Sequence, residues 1–171
     1  MRKGVVVAET ETGAGSEPGT GPGWALRAAV DDDLEPLAEL RAIVMRADLT
    51  RLGRYDEHRV RQRLRDGFTP RYTSVIVSAG EVIGCVTVRP ADDGLWLEHF
   101  YLAPHRQGGG VGSAVLRRLL ADADARRRPV RLIVLRGSAA RRLYERHGFV
   151  FEREDAVDVY LVRPAAAPAP A

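Results

Sequence analysis

The chain has 171 residues, 45% of them hydrophobic, which suits one domain with its own core. It has no run near the roughly 18 apolar residues that cross a bilayer, so no membrane partner is expected. Its 26 basic residues, all arginine except Lys3, stand against 23 acidic ones for a net charge of +3, a balance too slight to serve as a sign of nucleic acid, which is not the expected partner. The single cysteine, Cys85, excludes an internal disulfide, and its apolar setting "EVIGCVTV" reads as core packing.

Residues 1–23 are rich in Gly, Pro, Ser and Thr, and their "VVVA" is too short for an export signal, so they read as a flexible tail on a cytoplasmic protein. Residues 164–171, "PAAAPAPA", read as a second tail, which leaves one domain over 24–163. Within it "WALRAAV" predicts a strand. Asp32, with Glu35 three residues on, predicts a capping box for a helix carrying Leu34, Leu37, Leu40 and Val44. A second helix is expected over 56–66. "RYTSVIVSAGEVIGCVTVRP" predicts a hairpin turning at Ala79-Gly80, followed by a strand over 94–102. A helix over 110–125 would bury Val111, Val115, Leu119 and Ala123. "PVRLIVLR" predicts a buried strand and "SAARRLYERHG" a helix opened by Ser138 and closed by Gly148; "FVFERE" and "AVDVYLV" predict two last strands.

The loop before the 110–125 helix, "HRQGGGVGSAVLRRLL", is the most informative stretch. Glycine costs about 0.5–1 kcal/mol per helical position relative to alanine, so Gly108, Gly109, Gly110 and Gly112 need a reason. A nucleotide P-loop needs a lysine that is absent, and a dinucleotide fingerprint from Gly108 or Gly110 would end on Ser113 or Val115 instead of glycine. What remains, Gln107-Gly108-Gly109-Gly110-Val111-Gly112, fits a Q/R-x-x-G-x-G/A loop. In such a loop, backbone N–H groups at a helix start hold a pyrophosphate. The alternative is a glycine-rich turn with no ligand.

With those residues in view, "FYLAPHRQGGGVGSAVLRRL" resembles the coenzyme A motif of the GNAT superfamily of acyl-CoA N-acyltransferases. "SAARRLYERHGF" resembles that family's A-x-x-L-Y-E-x-x-G-F motif through Ala140, Leu143, Tyr144, Glu145, Gly148 and Phe149. The resemblance covers about residues 24–163. It implies an α/β fold with a mixed, mostly antiparallel central sheet of about seven strands, helices on both faces, and a splay between the fourth strand (94–102) and the fifth (130–135). It implies acetyl-CoA as cosubstrate and no metal. The pantetheine arm would pair near Leu102 and Ala103, the pyrophosphate would lie over Gln107, Gly108, Gly109, Gly110, Val111, Gly112 and Ser113, and the thioester would lie beside Tyr144. One departure stands out: the family often has asparagine where this chain has Gly137, and Ser138 is the candidate to take over its hydrogen bond.

An amine of pKa about 10.4 is about one part in 10³ neutral at pH 7, so transfer calls for a base, and the departing thiolate calls for a proton donor. Tyr144 is the candidate donor by its motif position; by spacing alone it equally reads as a core aromatic. Glu98 is the first candidate base and His99 the second, because a bulge in the strand would decide which side chain meets the thioester. The acceptor is read as a primary amine of a small molecule, in a cleft built from the first two helices and the last two strands. The arginines over 46–65 there read first as a solvated face; those that face the cleft would imply a carboxylate or phosphate on the acceptor. Alternatives are acetylation of a protein N-terminus or lysine, and a non-catalytic acyl-CoA-binding or nucleic-acid-associated regulator. The resemblance allows a homodimer, for which no sequence feature specifies an interface.

Overall fold

A computed structural model of the chain describes residues 20–21 and 23–167; of the tails expected over 1–23 and 164–171, residues 1–19, 22 and 168–171 fall outside the described residues. β1 (Trp24–Ala28) runs through a 3-10 turn into α1 (Leu34–Arg51). The expected capping box of Asp32 and Glu35 does not form. Asp33 does the work instead: its carboxylate accepts from the Val30 N–H at 2.8 Å and from Arg27 at 2.7 and 2.8 Å, which holds it below the usual carboxylate range. Glu35 faces the next helix, α2 (Glu57–Gly67), and pairs with Arg65 at 2.7 Å, as Glu39 does with Arg61 at 2.5 Å. These contacts take Arg61 and Arg65 out of the expected solvated arginine face, because charges on the two helices clamp each other. Asp56 caps α2 by accepting from the Arg59 N–H at 2.7 Å.

Strands β2 (Thr73–Ser78) and β3 (Glu81–Ala91) form the predicted hairpin, and β4 (Gly94–Leu102) pairs with β3. Then come α3 (Val111–Ala125), β5 (Val130–Leu135), the short α4 (Ala140–Arg146), β6 (Val150–Glu154) and β7 (Asp158–Arg163). The sheet order is β1-β2-β3-β4-β5-β7-β6, with a two-residue strand, Thr20–Gly21, added outside β1. Every pairing is antiparallel except β4 with β5. This is the mixed, mostly antiparallel α/β sheet that the resemblance implied. Among the described residues, no helix is long and apolar enough to cross a membrane.

Alternation along the strands gives the sheet two apolar faces. Val115, Leu116, Leu132, Phe149 and Leu161 pack together on the α3/α4 side, while Leu37, Leu64, Val75 and Cys85 pack under α1 and α2. On α3 Val115 and Ala123 are buried as expected, together with Leu116 and Leu120, while Val111 and Leu119 lie at the margin. The stripe keeps two of the expected positions and shifts at the other two. Burial pushes the Cys85 thiol up to about 12, in keeping with a packing role.

Gly84 marks a close approach of β3 to β4, where an added Cβ would run into the Tyr101 carbonyl oxygen. Backbone cannot yield there as a flexible side chain can. Gly84→Ala is therefore expected to destabilise the fold by about 1–3 kcal/mol, which thermal unfolding would register as a drop of about 2–12 °C. A melting temperature equal to that of the parent would contradict this packing.

The pairing of β4 with β5 covers only Leu95, Trp96 and Leu97, set against Val130, Arg131 and Leu132. Beyond Leu97 the two strands part: β5 stays paired with β7 up to Leu135, and β4 stays paired with β3 up to Leu102. The splay falls where it was expected, between the fourth and fifth strands. It opens a wedge with sheet backbone on both walls.

Candidate active site in the wedge

The wall formed by β4 is shaped by a bulge. Its register slips between the Cys85–Tyr101 and Thr87–Glu98 pairs, and His99 takes up the extra residue at φ +48°, a left-handed conformation uncommon for a non-glycine residue. Regular alternation would put Trp96, Glu98 and Phe100 on one face. With the bulge, Leu95, Leu97, Phe100 and Leu102 pack toward α3, while Tyr101 packs under α1 and His99 reaches Gly67 at the end of α2. Alternation from Leu97 puts Glu98 on the α1/α2 side as well. Both candidate bases therefore stand on one face, which a regular strand forbids.

Beyond the bulge, the Ala103 N–H turns to β3 and donates to the Ile83 carbonyl at 2.8 Å. Alternation then directs the backbone groups of Phe100 and Leu102 into the wedge. The Leu102 carbonyl already accepts one hydrogen bond, from the Gln107 side-chain amide at 2.9 Å. Gln107 thereby ties the glycine loop to the end of the strand.

The glycines of that loop have separate reasons to be there. Gly108 and Gly110 adopt φ +77° and +85°, and a Cβ added at Gly108, Gly109 or Gly110 would meet no protein atom within 4 Å. Gly112 is a packing position, where a Cβ would lie 3.3 Å from Leu102 and 3.6 Å from Leu143. The first backbone bond of α3 is from Ala114 N–H to the Gly110 carbonyl, at 3.0 Å. The N–H groups of Val111, Gly112 and Ser113 thus have no backbone acceptor among the described residues, at the positive end of a 15-residue helix. A bare rim with three free donors suits a phosphate-bearing coenzyme A, and the unpaired strand edges suit its amide-containing arm. The Ser113 hydroxyl is engaged elsewhere: His147 Nδ1 donates to the Leu143 carbonyl at 2.8 Å, so His147 Nε2 accepts from Ser113 at 3.0 Å.

Tyr144 lies on α4, almost buried, edge-on to Phe149 with ring centres 5.8 Å apart. Its hydroxyl has no hydrogen-bond partner among the described residues. Burial pushes the phenol above its ordinary value of 10, and the Tyr101 phenol is close enough to add to the rise. Glu98 accepts from Arg89 at 2.7 and 3.3 Å, and the pair is partly exposed. His99 is pushed down to about 4, mainly by burial, and is neutral at pH 7.

Gly137, at φ +75°, lies between β5 and α4, and a Cβ there would come within 2.8 Å of the Arg51 guanidinium. Arg51, from the end of α1, donates to the Arg136 carbonyl at 2.6 Å, so the departure from asparagine makes room for this crossing. The cap position of α4 is Ala139 and not the expected Ser138, one residue earlier, whose hydroxyl accepts from the Ala140 N–H at 3.3 Å. Sequence reasoning missed Arg41, Gly67 and Tyr101. The one available signal was an arginine, Arg41, at the inward-facing spacing of Leu37 and Val44.

The family model described as "Acetyltransferase (GNAT) domain" matches residues 70–151. No curated protein matches the chain by sequence. Among solved structures, the PaiA N-acetyltransferase of Thermoplasma acidophilum, in complex with coenzyme A, superposes with a TM-score of 0.69 at 18% identity, over 82% of this chain and 98% of that one. The ribosomal-protein-S18-alanine N-acetyltransferase of Escherichia coli gives 0.66 at 17% identity, over 85% and 96%. The N-acetylglutamate synthase of Neisseria gonorrhoeae, with coenzyme A and N-acetyl-glutamate, gives 0.60 at 15% identity, over 84% of this chain and 35% of that one. Those identities speak for the fold; the matched sequence segment runs from before β2 into β6, across the bulge, the glycine loop and Tyr144. Residues 70–151 thus match a GNAT acetyltransferase domain, and the chain around them shares the fold of these solved structures.

Proposed function

We propose that the protein is an acetyl-CoA-dependent N-acetyltransferase acting on a primary amine of a small molecule by direct attack on the thioester. The observation that carries this reading is the wedge itself. Free N–H donors at the start of α3 follow the end of β4, Glu98 stands on β4 where its ladder to β5 ends, and Tyr144 packs on the α3/α4 side with an unpartnered hydroxyl. When bound, acetyl-CoA supplies an activated acyl group. The rest falls to the chain. The Val111, Gly112 and Ser113 N–H groups hold phosphate oxygens, and Gly108, Gly109 and Gly110 let those oxygens approach the backbone. Tyr144 stays protonated at neutral pH and donates its hydrogen bond to sulfur as negative charge builds there. Glu98, oriented by Arg89, receives the acceptor's proton directly or through water.

Two measurements on the full chain test this reading. With acetyl-CoA and a panel of primary amines, thiol release is expected, and calorimetry should detect acetyl-CoA binding; the loss of both would overturn the reading. Glu98→Gln is expected to lower turnover by about 10²-fold near pH 7. The deficit should shrink as pH rises toward the amine's own pKa of about 10, where the amine sheds its proton without help. An equal deficit at every pH would remove Glu98 from the proton path.

A further inference from the structure

Arg41 lies on the inward face of α1 with 6% of its surface exposed. A guanidinium so placed needs hydrogen-bond partners, and no carboxylate pairs with it among the described residues. Its Nη1 donates to the Val60 carbonyl, and its Nε donates to the Tyr101 hydroxyl at 2.9 Å. Arginine only donates, so this bond occupies a lone pair of the phenol oxygen and leaves the phenol hydrogen for the other neighbour. That neighbour is His99 Nδ1, at 3.3 Å. With Nδ1 accepting, the hydrogen of the neutral imidazole falls on Nε2.

Nε2 faces the notch where α2 ends. A Cβ on Gly67 would lie 2.7 Å from it, so only glycine leaves room for the ring. Arg63 stands one turn earlier on the same face of α2, exposed, and makes no hydrogen bond or ion pair among the described residues. Arg41, Arg63 and Arg89 all disfavour a charged His99, while Glu98 opposes them. On the far side, Asp158 at the start of β7 is raised by burial and by Asp155, and Arg63 is near enough to draw it back. Arg63 is thus near enough to act on both the His99 ring and the Asp158 carboxyl on the α1/α2 side of the sheet.

We propose that the His99 Nε2–H and the Arg63 guanidinium form a subsite for a carboxylate carried by the amine acceptor, with Arg41 and Tyr101 as the positioning residues that keep the imidazole hydrogen on Nε2. The acceptor class is then a primary amine bearing a carboxylate, as in a free amino acid, with Asp158 facing its ammonium end. His99 serves as a donor and leaves the base role to Glu98. The inference rests on the acetyltransferase reading of the same wedge.

Nitrogen-15 NMR of the full chain tests the subsite without acetyl transfer. His99, assigned by the loss of its signals in His99→Gln, is expected as the Nε2–H tautomer, and Tyr101→Phe should abolish that preference. Titration with sodium acetate, at ionic strength held constant with chloride, should shift Nε2 saturably in the parent and at least fivefold more weakly in Arg63→Gln. With acetyl-CoA, valine should be acetylated with kcat/KM at least tenfold above isobutylamine, mostly through KM, and Arg63→Gln should close that gap. An Nδ1–H tautomer in the parent, an acetate response absent or equal in both proteins, or a preference for isobutylamine would overturn the proposal. Saturable, Arg63-dependent acetate binding with no amine acetylated would support the subsite and overturn only the acetyl-transfer reading.

Discussion

Replacing Tyr144 by phenylalanine is expected to lower turnover by about 10²–10⁴-fold while acetyl-CoA still binds. The substitution removes one oxygen and little else. Phenylalanine keeps the edge-on contact with Phe149, and because the hydroxyl has no partner among the described residues, the fold loses no hydrogen bond. The melting temperature should accordingly stay within about 2–4 °C of the parent, the equivalent of roughly 1 kcal/mol for a chain of this size. The predicted deficit corresponds to about 3–5 kcal/mol of transition-state stabilisation. A phenol raised by burial is a weak acid beside a thiol of pKa near 8.5, so its contribution is a hydrogen bond that strengthens as sulfur gains charge. Rates within threefold of the parent, at saturating acetyl-CoA with an accepted amine, would reduce Tyr144 to a packing residue.

Gly109→Leu should separate coenzyme binding from folding. Gly108 and Gly110 sit at positive φ, so side chains there add backbone strain, and a side chain on Gly112 would press on Leu102 and Leu143. Gly109 has neither problem: its φ is not positive, and a Cβ there meets no protein atom within 4 Å. A side chain at this position therefore starts into open space, where the loop's ligand is expected. Acetyl-CoA affinity is expected to fall at least tenfold, about 1.4 kcal/mol or more, with thermal unfolding unchanged. Undiminished affinity by calorimetry would show that phosphate is held elsewhere.

The sequence made the local features legible. Periodicity marked the strands and helices, Ala79-Gly80 marked the hairpin turn, and two motifs separated by a helix and a buried strand implied a sheet splayed between the fourth and fifth strands. Features that depend on partners distant in the chain were hidden. Nothing near Asp33 shows that it, and not Asp32, will receive Arg27 and the Val30 N–H. The bulge at His99 arises from a register slip against Cys85 and Thr87, so alternation read along the strand alone assigns Phe100 to the wrong face. Arg41 and Tyr101 lie 60 positions apart and meet only after α1 packs on the sheet.

The short ladder between β4 and β5 also has a mechanical meaning. Four long strands on one side and three on the other are joined through three residue pairs and the bond from Leu95 N–H to the Pro129 carbonyl. Gly94 lies at this seam, with room for no side chain against Pro129. The sheet thus behaves as two plates hinged along one short edge, with α3 spanning the joint. A small rotation at the seam becomes a larger displacement at the mouth of the wedge, so the width of the opening is governed by residues that never touch what enters it.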